Sequence, residues 1–403
     1  TSLDVSGLDT SATEDMKDMF CRCYILEKLD VSHFDTGKVK DMSYMFFCCR
    51  KLEALDVSGF KTGNVTSMLE MFGECNLLKE LDISGFDTGE VRSFAAMFTG
   101  CKLLESLDVS GFKTSNSASF SSMFKECTSI TYLDVSGFDT SQAVSMSGMF
   151  ERCGKLRTID VSNFNTENVQ NMSSMFERCS SLSVIDVSGF RTPNLSQASF
   201  MFSSCGVESL DLGNFIFTNM EQAREMFGGT SKLKSLTLKN FCSDKLVNCY
   251  CMISSSGIEY LEIDGFRCGK GCNMHSMMSN NFKLKTLIIR DFDARRATDM
   301  GYMFSQCGNL EEMDLSTMYT EDVTKLDSMF GWCYKVKHLD ISGMRTSNVT
   351  SMNYMFNCAA LEELDVSRFD TRNATDMGSM FCGCESLKKL DLSNFNTEKV
   401  TMM

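Results

Sequence analysis

The chain repeats one unit of 25 or 26 residues, and this period limits its fold more than any other feature. A typical unit carries Leu-Asp-Val-Ser-Gly-Phe at residues 55–60, and we number positions from its aspartate as position 0. Position 0 falls at Asp4, Asp30, Asp56, Asp82, Asp108, Asp134, Asp160, Asp186, Asp211, Thr237, Glu262, Ile288, Asp314, Asp340, Asp365 and Asp391. A fixed period in this range is typical of a solenoid.

Within a unit, the spacing of apolar residues changes from that of a strand to that of a helix. Leu52, Leu55 and Val57 alternate with polar residues, as in a strand with one buried face. The next apolar residues are spaced by three and four, which predicts one face of a helix. They are Val65, Met68, Met71, Phe72 and Cys75. Thr62 is suited to cap the start of this predicted helix.

The repeat predicts an α/β fold, a right-handed leucine-rich-repeat solenoid of about sixteen units over residues 1–403. Because helices are wider than the spacing between strands, we expect a parallel sheet on the concave face and short helices on the convex face. Residues 1–210 and 301–403 form regular units, and 211–300 form irregular ones. All belong to a single predicted domain.

The repeat resembles that of the BspA-like bacterial surface proteins, within the leucine-rich-repeat class. The resemblance rests on units such as Leu-Asp-Val-Ser-Gly-Phe-Asp-Thr at 133–140, followed by Met149, Phe150 and Cys153. It implies a secreted or wall-attached, non-enzymatic protein with a role in adhesion and host contact. It names no functional residue, and the chain departs from the pattern at Thr237, Glu262 and Ile288.

Composition and motifs argue against several functions. The net charge of −14, with no cluster of Lys and Arg, argues against nucleic acid as a partner. No apolar run is long enough for a membrane helix. The three histidines show no triad arrangement, and the carboxylates have uniform surroundings, so we expect no enzymatic activity.

Twelve cysteines form one column, at position +19 or, for Cys358, one residue before it, and we interpret them as buried, unbridged thiols. Cysteine there is replaced by Thr230, Ser255 and Asn281 in the irregular units. Those units hold extra cysteines at 242, 249, 251, 268 and 272, near His275. The sequence leaves three states open for them: free thiols, disulfides or a zinc site.

Stacking of the units places the aspartates of position 0 in one column. Repulsion within such a column needs compensation. Each carboxylate can accept hydrogen bonds from the serine two residues later, or the column can bind calcium. No other cofactor is indicated.

The irregular units carry the candidate contact residues. Their outward positions hold both charge signs and one aromatic, a composition typical of interface anchors on the concave face of a solenoid. The predicted ligand contacts are Lys239, Tyr260, Glu262, Asp264, Ile288 and Arg290. The alternative is that these units have merely degenerated.

We therefore expect an extracellular or cell-surface binding module that contacts protein or glycan. The alternative is a structural protein whose uncapped solenoids join end to end, because the sequence starts and stops inside a unit. The same observation makes the chain, by expectation, a piece of a longer protein.

Overall fold

The computed structural model describes residues 1–403, which form two compact units. Unit 1 comprises Thr1–Leu195 with Met201–Phe215, and unit 2 comprises Ser196–Phe200 with Ile216–Met403. Each unit is a stack of coils, with one coil for each sequence repeat. The single solenoid domain over 1–403 stays a prediction.

Short parallel strands lie side by side in each unit. Those of unit 1 are β1 (Ser2–Leu3), β2 (Lys28–Leu29), β3 (Tyr132–Leu133) and β4 (Thr158–Ile159). Those of unit 2 are β5 (Ser235–Cys242), β6 (Tyr260–Arg267), β7 (Cys272–Asn273), β8 (Thr286–Asp293), β9 (Ala297–Asp299), β10 (Glu312–Asp314), β11 (Met318–Tyr319) and β12 (His338–Asp340). The sheets of unit 1 are β1-β2 and β3-β4, and those of unit 2 are β11-β8-β6-β5, β10-β12 and β7-β9.

The core follows the apolar positions of the repeat. In the coil of Asp56, Leu52, Val65 and Phe72 are fully buried and Val57 is nearly so. The same positions are buried in most other coils of both units. The predicted inward faces are therefore confirmed.

The predicted helices on the convex face are wrong, because no residue of the chain is helical. Residues 68–75 instead form a series of tight turns. We call these residues, and the equivalent ones of every other coil, the turn segment. Met71 N–H donates to Met68 C=O (3.2 Å) and Cys75 N–H to Phe72 C=O (3.3 Å). Each of these turns has a residue with positive φ, Glu70 (51°) or Glu74 (59°), at the third of its four positions, as type II turns require.

Neighbouring turn segments are joined by backbone hydrogen bonds. The N–H of Phe46 donates to Met71 C=O of the next coil (2.9 Å), and that of Cys48 donates to Gly73 C=O (2.7 Å). Alternate N–H groups thus bond to the next coil while those between them close local turns. Apolar side chains at spacings of three and four still point inward, which is why the pattern resembled a helix.

A stack of phenylalanine rings runs through the turn segments of unit 1. Phe46, Phe72, Phe98, Phe124 and Phe150 follow one another with ring centroids 5.7–5.8 Å apart and nearly parallel planes. All five are fully buried. Phe20 extends this stack at one end, and Phe176 and Phe202 extend it at the other.

The threonine predicted to cap a helix instead links coils. Thr62 is buried, and its hydroxyl donates to the C=O of Asp87 in the next coil (2.9 Å). In the preceding coil, the Thr36 hydroxyl oxygen accepts the N–H of Lys61 (2.7 Å). These bonds satisfy polar groups that would otherwise be unpaired at the edge of the core.

The cysteine column consists of free, mostly buried thiols, as predicted. The Sγ–H of Cys75 donates to the Phe46 C=O of the preceding coil (3.3 Å), and Cys101 bonds Phe72 in the same way. Burial raises the pKa of the Cys101 thiol to about 12. The prediction that Ser255 replaces the cysteine of its coil was wrong. Ser255 has a positive φ, and the buried position of the column is taken by Ser256.

Candidate contact surface on the extended strands

In regular coils, a side-chain turn begins at position 0, and no strand runs through it. Asp56 Oδ1 accepts the N–H (3.0 Å) and the hydroxyl (2.7 Å) of Ser58. The N–H of Phe60 then donates to Val57 C=O (3.0 Å). The strand cannot continue, because its next N–H is already bound to a side chain.

The same contacts test the hydrogen-bonded interpretation of the aspartate column. The carboxylates accept hydrogen bonds from the serine two residues later, as at Asp82, Asp108 and Asp160, whereas Asp211 accepts the N–H of Gly213. The hydrogen-bonded interpretation is therefore confirmed. Calcium binding along this column stays a prediction.

Acid should destabilise unit 1 through these aspartates. Hydrogen bonds from the serine hydroxyl and N–H lower the pKa of Asp56, Asp82 and Asp108 below 3.8. A depressed folded-state pKa gives stability that is present above the ordinary value and lost as pH falls through the lowered one. We expect the urea midpoint to fall when the pH drops below 3.8.

A triple Asp→Asn variant at positions 56, 82 and 108 keeps the acceptor oxygens but cannot titrate. Its midpoint should fall less with acid than that of the unmodified chain. Equal losses in the two proteins would show that these turns do not contribute to acid sensitivity.

Three coils of unit 2 lack the aspartate–serine pair, and their strands continue. Position 0 is Thr237, Glu262 or Ile288, and in none of these coils does that side chain bind the N–H two residues later; the residues there are paired between strands instead. Strands β5, β6 and β8 therefore run for eight residues, against two or three elsewhere. The region that looked degenerate in sequence contains the most extended sheet in the structure.

A positive-φ residue allows each long strand to continue into the next core position. This residue is Asn240 (52°), Gly265 (77°) or Asp291 (48°). Pairing resumes one residue later, where Phe241 lies opposite Phe266 and Phe266 opposite Phe292. The Phe266 and Phe292 rings stack with centroids 4.4 Å apart.

The six predicted contact residues lie together on these three strands, and we call them the strand patch. They are Lys239 on β5, Tyr260, Glu262 and Asp264 on β6, and Ile288 and Arg290 on β8. Lys239 is paired in register with Asp264, and Asp264 with Arg290. Glu262 is paired with Ile288.

Glu262 is the centre of the strand patch. Its Oε2 accepts the hydroxyl of Tyr260 (2.9 Å) and its Oε1 accepts Nη1 of Arg290 (2.6 Å). The Tyr260 and Arg290 hydrogen bonds lower the pKa of Glu262, and the same carboxylate raises the pKa of Tyr260. An ionised glutamate thus fixes an aromatic ring and a guanidinium beside each other.

An arginine group at the far end of the same strands was not predicted. Arg295 forms a bidentate pair with Asp293 (2.9 and 2.7 Å). Arg267 and Arg296 both approach Asp244, at 3.3 and 3.4 Å. Two consecutive arginines, Arg295 and Arg296, in an acidic chain were the one sequence signal for this group. The approach of Arg267 and Arg296 to Asp244 could not be predicted, because it depends on the stacking of three coils.

The extra cysteines are all free thiols in the structure. Cys249, Cys268 and Cys272 are buried, and Cys242 and Cys251 are half-buried. His275 bonds Asp299 through Nδ1 (3.2 Å) and stacks on Tyr250 at 5.9 Å. The structure contains no group of three or more His, Cys, Asp or Glu residues placed to hold a metal ion.

The stacked coils of each unit form a parallel solenoid of the leucine-rich-repeat class. A family model described as "Mycoplasma protein of unknown function, DUF285" matches residues 1–106, 51–153, 118–241, 248–361 and 328–403. The chain belongs to this family. The match along its repeats confirms the resemblance to BspA-like leucine-rich-repeat proteins.

Three of the solved structures that are similar to this chain come from bacteria. A leucine-rich repeat protein of Bacteroides ovatus is 15% identical, with 87% of each chain covered and a TM-score of 0.39. One from Eubacterium ventriosum is 13% identical, covering 90% of this chain and 85% of that one, with a TM-score of 0.40. A leucine-rich cell surface protein of Faecalibacterium prausnitzii is 16% identical, covering 93% and 79%, with a TM-score of 0.31. No curated protein matches the chain.

The structure contains no helix that is long and apolar enough to cross a membrane.

Proposed function

We propose that this chain is a non-enzymatic, extracellular or cell-surface binding module that contacts a protein partner through the strand patch. The observation that carries the proposal is the fixed Tyr260–Glu262–Arg290 group on the longest strands of the structure. Tyrosine and arginine, with tryptophan, are enriched among the energetic anchors of protein interfaces.

The backbone under the strand patch favours binding. Each of the three strands is paired through most of its length, so the side chains stand on a rigid base. The carboxylate of Glu262 further restricts Tyr260 and Arg290 before any partner arrives. Side chains that are already ordered lose less conformational entropy on binding.

The charges of the strand patch indicate the chemistry of its partner. Lys239 and Arg290 are exposed cations, while Glu262 and Asp264 are half-buried anions between them. A partner surface with carboxylates around a basic or hydroxyl-bearing centre would complement this pattern. Complementary charge chiefly sets specificity and the association rate.

Replacement of Tyr260 by alanine should weaken binding of a protein ligand by about tenfold or more, because an anchor aromatic is lost. Binding partners would be selected on an array of purified extracellular proteins and their affinities measured in solution. Arg290→Glu should weaken the same interaction by reversing a charge in the strand patch.

Matched controls exist for both changes. Tyr132 occupies the same repeat position as Tyr260 in a regular coil and is exposed, so Tyr132→Ala should leave binding unchanged. Arg372 also forms an ion pair with a carboxylate (2.6 Å) but lies outside the strand patch, so Arg372→Glu controls for charge. If Tyr260→Ala and Arg290→Glu bind as tightly as their controls, the strand patch is not the contact surface.

A further inference from the structure

We propose that unit 2 has a second binding site, a cleft between turn segment and strand that takes a single ring of an acidic sugar. The cleft has a volume of about 210 Å³ and is lined by Phe282, Gln306, Gly308, Trp332 and Tyr334. We call it the aromatic cleft. It shares no residue with the strand patch, so it goes beyond the function proposed above.

Three exposed aromatic rings form this cleft. Phe282 is 58% exposed, Trp332 38% and Tyr334 53%, although most aromatic residues of the chain are core residues. Trp332 is also the only tryptophan of the protein. Rings of this size are normally buried, and an exposed group of them around a cavity indicates a binding site.

Gly308 opens the space between the rings. Phe282, Gly308 and Tyr334 occupy the same repeat position, +20, in three successive coils. At this position other coils carry large side chains such as Arg50 and Lys102. A Cβ at Gly308 would lie 3.7 Å from Cδ2 of Tyr334, so the missing side chain leaves a slot against that ring.

The size and lining of the aromatic cleft fit a sugar ring. Its volume is below the roughly 300 Å³ typical of sites for whole drug-sized ligands, which suits one ring. The flat rings can pack against the C–H face of a pyranose. The amide of Gln306 offers both a donor and an acceptor for sugar hydroxyls.

The charge at the rim selects an acidic sugar. Lys283 and Lys335 follow Phe282 and Tyr334 directly, and neither forms a salt bridge. Lys335 Nζ instead donates to the neutral Oδ1 of Asn309 (2.7 Å). No carboxylate lines the cleft, and although Lys283 also interacts with Glu259, Lys335 has no carboxylate partner, so the carboxylate of a uronic acid would meet two nearby cations.

Tryptophan fluorescence tests this site directly, because the only tryptophan lies in it. A hyaluronan tetrasaccharide supplies uronic acids, a chitin tetrasaccharide is the neutral probe, and a tyrosine-containing tripeptide represents a protein partner. We expect a saturable emission shift with hyaluronan, weakened by salt and smaller with the neutral saccharide.

Gly308→Leu should weaken hyaluronan binding about tenfold or more by filling the slot. Gly154 occupies the same repeat position in unit 1, where the nearest atom to an added Cβ is the hydroxyl oxygen of Ser180 (3.7 Å) and not an aromatic ring, so Gly154→Leu is the matched control and should bind normally. Thermal melting of both variants confirms that each is folded. Tyr260→Ala should not alter this titration, which separates the aromatic cleft from the strand patch.

Three results would overturn the proposal. One is the absence of a spectral response to both saccharides. Another is an equal response in Gly308→Leu and the unmodified chain. The third is a response to the tripeptide alone, which would assign the cleft to a protein side chain.

Discussion

Replacement of Phe124 by alanine should lower the free energy of unfolding of unit 1 by about 3–5 kcal/mol. Phe124 is fully buried and stacks between Phe98 and Phe150, with both ring centroids 5.8 Å away. Backbone hydrogen bonds between coils hold the neighbouring rings in place, so the cavity cannot collapse easily. Urea denaturation followed by circular dichroism would measure the change.

Val184→Ala is the control for this change, because Val184 lies in the same unit and is 67% exposed. Its effect should stay within about 0.5 kcal/mol, as for most surface substitutions. If Phe124→Ala shifts the urea midpoint no more than Val184→Ala does, the phenylalanine stack does not support the fold.

Gly257→Ala should destabilise unit 2 by about 1–3 kcal/mol or more through a backbone clash. A Cβ at Gly257 would overlap the carbonyl oxygen of Ser231 and lie 2.6 Å from its carbon. The close approach arises because this coil is one residue shorter than most, and Gly257 N–H donates directly to Thr230 C=O (2.9 Å). The loss would be measured as a lower melting temperature and urea midpoint.

Gly111→Ala is the matched substitution at a glycine with no atom within 4 Å of the added Cβ. Because that position needs no positive φ, alanine should be tolerated or slightly stabilising there. If the two variants were equally stable, the neighbouring coils would not approach each other closely at Gly257.

The core could be predicted from the sequence because it depends on the period alone. The side chains that repeat every 25 or 26 residues must stack on one another, so apolar positions such as Leu52, Val57 and Phe72 had to face inward. Burial of the cysteine column follows from the same argument.

The turn segment could not be predicted, for two physical reasons. Turns closed by bonds between residues three apart bury the same side chains as a helix does. Their positive-φ positions are also held mostly by residues such as Glu70, Ser122 and Arg152 and only in a few coils by glycine, so the usual sign of a type II turn is missing from most coils. Backbone hydrogen bonds to the next coil stabilise these turns, which the local sequence does not favour by itself.

The candidate surface was predictable in part. The substitutions at Thr237, Glu262 and Ile288 marked the strand patch in the sequence, but the longer strands they produce did not follow from it. The aromatic cleft was missed because exposed and buried aromatics look alike in a repeat. Only the stacking of coils brings Phe282 and Tyr334 to either side of Gly308.

We claim that loss of the aspartate–serine turn extends the strands and so builds the strand patch. Amide hydrogen exchange in β6 tests this directly. β6 lies between β5 and β8, so its second half should exchange slowly. The equivalent segments 82–86 and 108–112 of regular coils, where the serine N–H bonds only an exposed carboxylate, should exchange faster. Equally fast exchange in all three segments would contradict the claim, because the strand patch would then have no extended sheet beneath it.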